Sequence, residues 1–432
     1  MYHKGNSPQN EPAGPIGLAS PSFARRRPAR ITLPRMLAAL PLAAMAAFVM
    51  GAPAPAEPAA DMVSPVERTQ QETARWSTSN TRALLAAIEA SAKEGLNPAD
   101  YSLDMLKSAV EAEQKGPALD TIADAAAMRL AHDYADGRID DKEAFDWHLG
   151  KRADTNALAS GLNDAIATDR LAEWLKSLLP DSEQYQALRA AYAQTDPGDT
   201  ATRDLLRANL ERWRWMPRDL GERYIYVNVP SYQLDLMNDG VAEATYTVVV
   251  GAPKTPTPQL ALMAQSVVAN PSWTLPPSVL KEGTWRNKGF TATKIAGGYR
   301  VVQAPGPGNA LGRIKIDMPN AHAIYLHDTP NKSAFKRDQR ALSHGCIRVE
   351  NIADLAAQLS DQTSLDDALQ NPKQTKVLQL ERSMPVYIVY FTAEANADGS
   401  LRRLPDPYGR DGQLTARLGG ISGGAPVHMA AR

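Results

Sequence analysis

The chain has 432 residues, 44% of them hydrophobic, and 47 Lys and Arg stand against 48 Asp and Glu for a formal net charge of −1. That balance excludes binding driven by bulk charge and gives no case for a nucleic-acid partner. The length is sufficient for two separate cores.

Residues 1–35 are rich in Pro, Gly and Ser and predict no fold. A basic segment, Arg25-Arg26-Arg27 with Arg30 and Arg35, precedes an apolar run from Met36 to Met50 and Ala-Pro repeats to Ala56. This layout predicts a cleavable secretory signal, with cleavage after Ala54 or Ala56, so residues 1–56 are read as leader. The apolar run contains Pro41 and is shorter than the ~20 residues that span a bilayer, so membrane proximity is expected to be transient, before cleavage, with an uncleaved anchor as the alternative. No cysteine lies near Ala56 to serve a lipoprotein cleavage site.

From Val63 to Tyr192 the period is helical. Thr81 to Glu94 carries Leu84, Leu85, Ile88 and Ala92 on one face and ends at Gly95. Thr121 to Asp136 carries Ile122, Ala126, Leu130 and Tyr134 and ends at Gly137. Asp169 to Leu179 carries Leu171, Trp174, Leu175 and Leu178 before Pro180. Asp181 is read as the N-cap of a further helix, with Gln184 three residues on and Tyr185, Leu188 and Tyr192 as its apolar face. These faces predict a helical domain over 63–192 with a structural role. Residues 193–203 are read as a linker.

From Arg223 the period shortens to 2. Ile225, Val227 and Val229 alternate with Tyr224, Tyr226 and Asn228, and strands are predicted at Gln233–Met237, Thr245–Val250, Tyr299–Gln303, Arg313–Asp317 and Pro385–Thr392. Helical spacing returns after Asn351 with Ile352, Leu355, Ala356 and Leu359. The fold class is therefore α+β, a helical N-terminal domain followed by a mainly β domain over 204–412. Gly306-Pro-Gly308 is a turn, since no G-x-G-x-x-G pattern surrounds it. Residues beyond Tyr408 are rich in Gly, Ala and Arg and read as a loose tail, with 413–432 outside the domain.

Cys346 is the only cysteine of the chain, with His344 two residues before it and His327 nineteen before it. A free thiol has a pKa near ~8.5, and an imidazole is the side chain able to take its proton at neutral pH. Ala323–Leu326 reads as a strand, which leaves His327 at a strand end, and the charged loop Asn331–Arg340 returns the chain to Cys346. Gly345 leaves the backbone unencumbered, so the Gly345 and Cys346 amides are candidate oxyanion donors. The helix after Asn351 would bring its positive end near the thiol. A lone cysteine is ordinarily a small buried hydrophobe, but an unpaired thiol in an exported chain points to function. Zinc binding by His327, His344 and Cys346 lacks the C-x2-C or H-x3-H spacing of such sites.

His327, fifteen intervening residues and Ser343-His344-Gly345-Cys346 resemble the signature of the L,D-transpeptidase family, whose catalytic domain is the YkuD type. Asn209-Leu-Glu-Arg-Trp-Arg-Trp-Met-Pro-Arg218, Val227-Asn-Val-Pro230, Asn270-Pro-Ser-Trp273, Pro276-Pro277, Gln303-Ala-Pro-Gly306 and Asn309-Ala-Leu-Gly312 resemble its larger periplasmic subgroup. Gly95-Leu-Asn-Pro-Ala-Asp-Tyr101 is similar to the scaffold domain that precedes catalysis there. The resemblance implies a periplasmic enzyme acting on peptidoglycan stem peptides, with Cys346 as nucleophile, His327 as general base, no metal or organic cofactor, and acylation by carbapenem-type β-lactams. It also implies that a backbone carbonyl, of Asp328 or His344, orients His327, because the Asp328 side chain, adjacent on a strand, points the other way.

Ser343 and His344 match the motif either as substrate contacts or as loop-shaping residues. Tyr325 and Arg348 are candidate substrate-binding residues, Arg348 through its fork of donors or else paired with Glu350. Leu280–Gly298 falls where the subgroup has a capping insertion, with Trp285 and Phe290 either closing over substrate or packing. The three-helix peptidoglycan-binding module usual in that subgroup has no room in 193–203. The acyl acceptor stays open between a second stem, water and a protein amine, and a non-catalytic wall-binding scaffold is the alternative of another class. The oligomeric state is also open.

Overall fold

The computed structural model describes residues 75–150, 153–286, 289–396 and 398–419. The predicted leader, 1–56, and the tail from residue 420 lie outside the described residues.

Helix α1 (Thr78–Ala90) starts where Ser77 Oγ accepts the Asn80 N–H, and a 3-10 turn carries it on to Gly95. With α2 (Leu103–Glu111), α3 (Pro117–Asp136), α4 (Thr155–Ala167) and α5 (Leu171–Ser177) it encloses a core of Leu84, Ile88, Tyr101, Leu106, Leu130 and Leu162. Helix α6 (Glu183–Gln194) is capped by Ser182, whose Oγ accepts the Tyr185 N–H, rather than by Asp181. Gln184 instead exchanges two hydrogen bonds with the backbone of Ala395. The connection to α7 (Thr200–Trp215) is confined to 195–199, shorter than the expected linker, because Asp199 caps α7 by accepting the Thr202 N–H.

Helix α7 joins the helical and β parts, and it does so with buried charge. Toward the helical domain, Glu211 Oε1 accepts the Ile139 N–H at 2.9 Å and Trp215 Nε1 at 3.0 Å, while Oε2 accepts Arg214 Nη2 at 2.7 Å. Arg214 Nη1 donates to Glu94 O at 2.9 Å, and Tyr185 Oη donates to Glu94 Oε2 at 2.7 Å. Toward the β domain, Asn209 Oδ1 accepts the Thr392 N–H at 2.9 Å and Arg212 Nη1 donates to Asp411 Oδ1 at 2.7 Å. Burying such groups is tolerable only when their partners are in place.

The strands are β1 (Trp147–His148), β2 (Arg223–Asn228), β3 (Gln233–Asn238), β4 (Val241–Gly251), β5 (Gln259–Ala269), β6 (Trp273–Thr274), β7 (Phe290–Ile295) and β8 (Gly298–Gln303). They continue with β9 (Ile314–Asp317), β10 (Leu326–His327), β11 (Ala341–Ser343), β12 (Ile347–Val349), β13 (Lys376–Val389), β14 (Ala393–Ala395) and β15 (Leu401–Arg403). In the order β5-β13-β2-β3-β4-β12-β10-β9 they form a ring that closes because β9 also pairs with β5. Ile225, Val227, Leu234, Val248, Leu326 and Ile347 fill it, together with Leu355 and Leu365 from α9 (Ile352–Leu359) and α10 (Gln362–Gln370). A barrel of this kind leaves no free sheet edge within the ring.

Between β5 and β9 the chain builds a small second sheet in the order β6-β8-β7, with the short helix α8 (Pro277–Glu282) beside it. Its own core is Leu275, Val279 and Val301, and Trp285 and Phe290 pack there. The last segment departs from expectation. Residues 410–417 form helix α11, and Leu414 and Leu418 are buried in a cluster with Trp215 and Phe391, so the loose tail does not begin at Tyr408. An i,i+4 pair of leucines is too sparse an apolar face to announce a helix among Gly, Ala and Arg.

Candidate active site

The site is built where β10 lies between β12 and β9. His327 stands opposite Arg348 of the parallel strand β12 and opposite Lys315 of the antiparallel strand β9. Strand alternation sends Leu326, Ile347 and Ile316 into the barrel and leaves His327, Arg348 and Lys315 on its outer face. Tyr325, two residues before His327, sets its ring edge-on to the imidazole with centroids 5.6 Å apart, and Lys315 Nζ lies 4.5 Å from the same ring.

Cys346 immediately precedes β12, and the Ile347 N–H holds it in register by donating to Tyr325 O at 3.1 Å. Its Sγ lies 3.5 Å from Ala323 O and is hydrogen-bonded to Tyr325. The predicted strand Ala323–Leu326 is shorter than expected. Ala323 has a φ of +53° in a turn organised by Asn320, whose Oδ1 accepts the His322 and Ile324 N–H groups.

His327 is 4% exposed, and its Nδ1 donates to Asp328 O at 2.5 Å. That bond fixes the Nδ1–H tautomer and leaves Nε2 as the basic nitrogen. Burial, with the adjacent Arg348 as a second cause, brings the imidazole pKa down to about 3, so the ring is neutral. Burial pushes the Cys346 thiol up, against the opposing influence of Tyr325, Lys315 and Arg348. The resting pair is thus thiol and imidazole. The expected help from a helix end is not there, since β12 intervenes between Cys346 and the start of α9.

The Asp328 carboxylate serves the backbone instead. Its Oδ2 accepts the Arg313 N–H at 2.8 Å, and Oδ1 accepts the Thr329 N–H at 2.7 Å and Lys332 Nζ at 2.5 Å. A Cβ at Gly312 would come within 2.3 Å of that Oδ2, so glycine is required there.

Ser343 shapes the loop before the thiol. Its Oγ donates to Cys346 O at 2.5 Å and accepts the Gly345 N–H at 3.1 Å, and Gly345 takes a φ of +112° that side chains resist. The Gly345 amide is therefore engaged and unavailable to an oxyanion while that bond holds. Thr257 Oγ1 donates to Gly345 O at 2.7 Å and Thr255 Oγ1 to Ser343 O at 2.9 Å. The His344 side chain is exposed.

Arg348 Nε is buried with no hydrogen-bond partner among the described residues; burial lowers the guanidinium pKa, and it is a thiolate on Cys346, not Glu350, that would oppose this. Sequence reasoning missed Lys315, Thr255, Thr257 and Trp273, whose side chain hydrogen-bonds Tyr325 from the small second sheet. Lys315 lies in a predicted strand, but only the register across β9 and β10 brings it to His327.

Residues 222–388 match the family model of the L,D-transpeptidase catalytic domain, YkuD, and residues 68–191 match that of the Scaffold domain. A Haemophilus influenzae protein named "Putative L,D-transpeptidase" is 31% identical over 284 residues, 58% of this chain and 57% of that protein, so the chain spans a little over half the length of this curated relative. Among solved structures, an L,D-transpeptidase from Mycobacterium smegmatis aligns with a TM-score of 0.22 and 15% identity over 39% of this chain and 58% of its own. The catalytic domain of the E. faecium L,D-transpeptidase acylated by ertapenem aligns with a TM-score of 0.23 and 14% identity over 39% of this chain and 97% of its own. From the two family matches, the chain carries an L,D-transpeptidase catalytic domain of the YkuD family behind an N-terminal Scaffold domain.

Proposed function

We propose that this protein is a periplasmic cysteine L,D-transpeptidase that forms 3-3 cross-links between peptidoglycan stem peptides. The observation that carries the reading is the buried His327, held as its Nδ1–H tautomer by Asp328 O, on the strand beside Cys346. As Cys346 Sγ attacks the carbonyl of the third stem residue, meso-diaminopimelate, its proton passes to His327 Nε2. The bond to the terminal D-alanine breaks, His327 returns the proton to the leaving amine, and a thioester remains on Cys346. The side-chain amine of a second stem then attacks the thioester. His327 takes a proton from that amine and gives it to the departing sulfur, which restores the thiol. Neither thiol nor imidazole is charged at rest, so proton transfer accompanies attack.

Arg348 and Lys315, the register neighbours of His327, are suited to hold a stem carboxylate and to offset charge on the sulfur, Lys315 while also paired with Asp317 at 2.6 Å. The same thiol would open a carbapenem ring to give a stable acyl-enzyme, and no metal takes part in these steps.

Muropeptide mass spectrometry tests the reading. The chain from residue 57, incubated with disaccharide-tetrapeptide, is expected to yield a dimer one D-alanine lighter than two substrates, and Cys346→Ala is expected to yield none. Tripeptide alone from the wild type would move the assignment to an L,D-carboxypeptidase. Absence of any product would favour a non-catalytic wall-binding role.

A further inference from the structure

A groove of about 640 Å³ opens where the start of α6 and the β14–β15 hairpin meet the outer face of β2 and β3. In the ring order it is removed from β12 by β4, and no step of the proposed reaction uses it. Its aromatic lining is Trp213, Tyr224, Tyr226 and Phe391, of which Trp213 and Phe391 stack on each other at 4.7 Å. Met237, Leu220 and the 68% exposed Val241 extend an apolar ledge along it.

The charge in this groove is one-sided. Asp181, Glu183, Asp235, Asp239 and Glu394 line it, and among its described lining residues Arg402 is the one cation. That cation is already engaged, since Arg402 Nη1 donates to Glu394 Oε2 at 3.0 Å and Nη2 donates to Gln233 Oε1 at 3.2 Å. Asp235 sits half-buried beside Tyr226, where its Oδ1 accepts the Thr245 hydroxyl at 2.6 Å. Burial raises its carboxyl pKa despite Arg402 nearby, as for a carboxylate short of compensating charge.

A partly desolvated carboxylate next to aromatic rings and an apolar ledge is the environment in which an ammonium or guanidinium on a methylene stem is best accommodated. The head meets the carboxylates and rings while the stem covers the ledge. We propose that this groove binds a basic peptide segment of a partner protein, one Lys or Arg side chain reaching Asp235 and Glu394 and neighbouring basic residues lying near Asp181 and Glu183. A neutral oligosaccharide could also use rings and carboxylates, but it would leave the excess negative charge unanswered. The proposal stands independently of the reaction assigned to Cys346.

Calorimetric titration of the purified protein with tetralysine, at low salt and again above physiological salt, provides the test. Binding is expected for the wild type, weaker at high salt, and about tenfold weaker in Asp235→Asn, which keeps the shape and the Thr245 bond but loses the charge. Glu183→Gln, on the exposed rim, is expected to weaken binding less and to leave the fold and the transpeptidase reaction unchanged. Equal tetralysine affinity in wild type and Asp235→Asn would overturn the proposal, as would no binding at all. Saturable binding of triacetylchitotriose in place of tetralysine would likewise overturn it, in favour of a sugar site.

Discussion

Glu211→Ala is expected to lower the unfolding free energy by ~3–5 kcal/mol, the cost of leaving a buried charge without its partner. Both Glu211 and Arg214 are almost fully inaccessible, and Arg214 stays charged because Glu211 outweighs the burial that opposes it. The substitution also strips the acceptor from the Ile139 N–H and from Trp215 Nε1. Urea denaturation followed by far-ultraviolet circular dichroism measures the loss. Replacing Arg214 by Met in the same chain is expected to recover a large part of it, because the pair is then removed together. A loss below ~1 kcal/mol in the single variant would show that the network is not needed to seat α7.

His327→Ala is expected to slow acylation of Cys346 by ~10²- to 10⁴-fold, the usual contribution of a positioned base. The pH dependence separates this base from an ion-paired one. With a folded pKa of about 3, the imidazole remains a base well below pH 6, so the acylation rate should hold nearly constant from pH 8 down to pH 5. Unassisted thiol alkylation should meanwhile rise with pH, because burial raises the Cys346 thiol pKa, where a thiolate–imidazolium pair would hold it on a plateau through neutral pH. For stability the sign is the reverse of a salt-bridged histidine. The unfolded ring binds its proton near ~6.5 and the folded ring only near 3, so stability is unaffected by this group at higher pH and declines as pH falls from ~6.5 toward 3. Stopped-flow acylation and urea midpoints across that range check both statements; a rate halving near pH 6.5 would contradict the neutral pair.

Much of the site was legible because its chemistry is local. Alternation alone puts His327 on the face opposite Leu326, whereas the motif leaves Ser343 open between substrate contact and loop shaping, and its bonds to Cys346 O and from the Gly345 N–H appear only in the structure. The strands of β2 and β3 were equally plain, since one face is apolar and the other polar. Strand β5 was not, because Ala261, Leu262 and Met263 are apolar on both faces and erase the period of 2, with Met263 left 42% exposed. The buried ions of α7 point the same way, as Arg207, Glu211, Arg212 and Arg214 make the helix look solvated when its partners lie up to 212 residues away in sequence. Pairings across such distances have no local signal. Lys315 and Trp273 join the site only through the closure of the barrel and the sheet inserted after β5.

The most direct measurement is intact-protein mass spectrometry with peptide mapping, after brief exposure of the wild type and Cys346→Ala to disaccharide-tetrapeptide and an acid quench that stops attack by a second stem. The expected result is a mass increase equal to the disaccharide-tripeptide acyl group, confined to the peptide that holds Cys346, absent from Cys346→Ala and reversed by hydroxylamine. An acyl group on another residue, or one that persists in Cys346→Ala, would contradict Cys346 as the nucleophile.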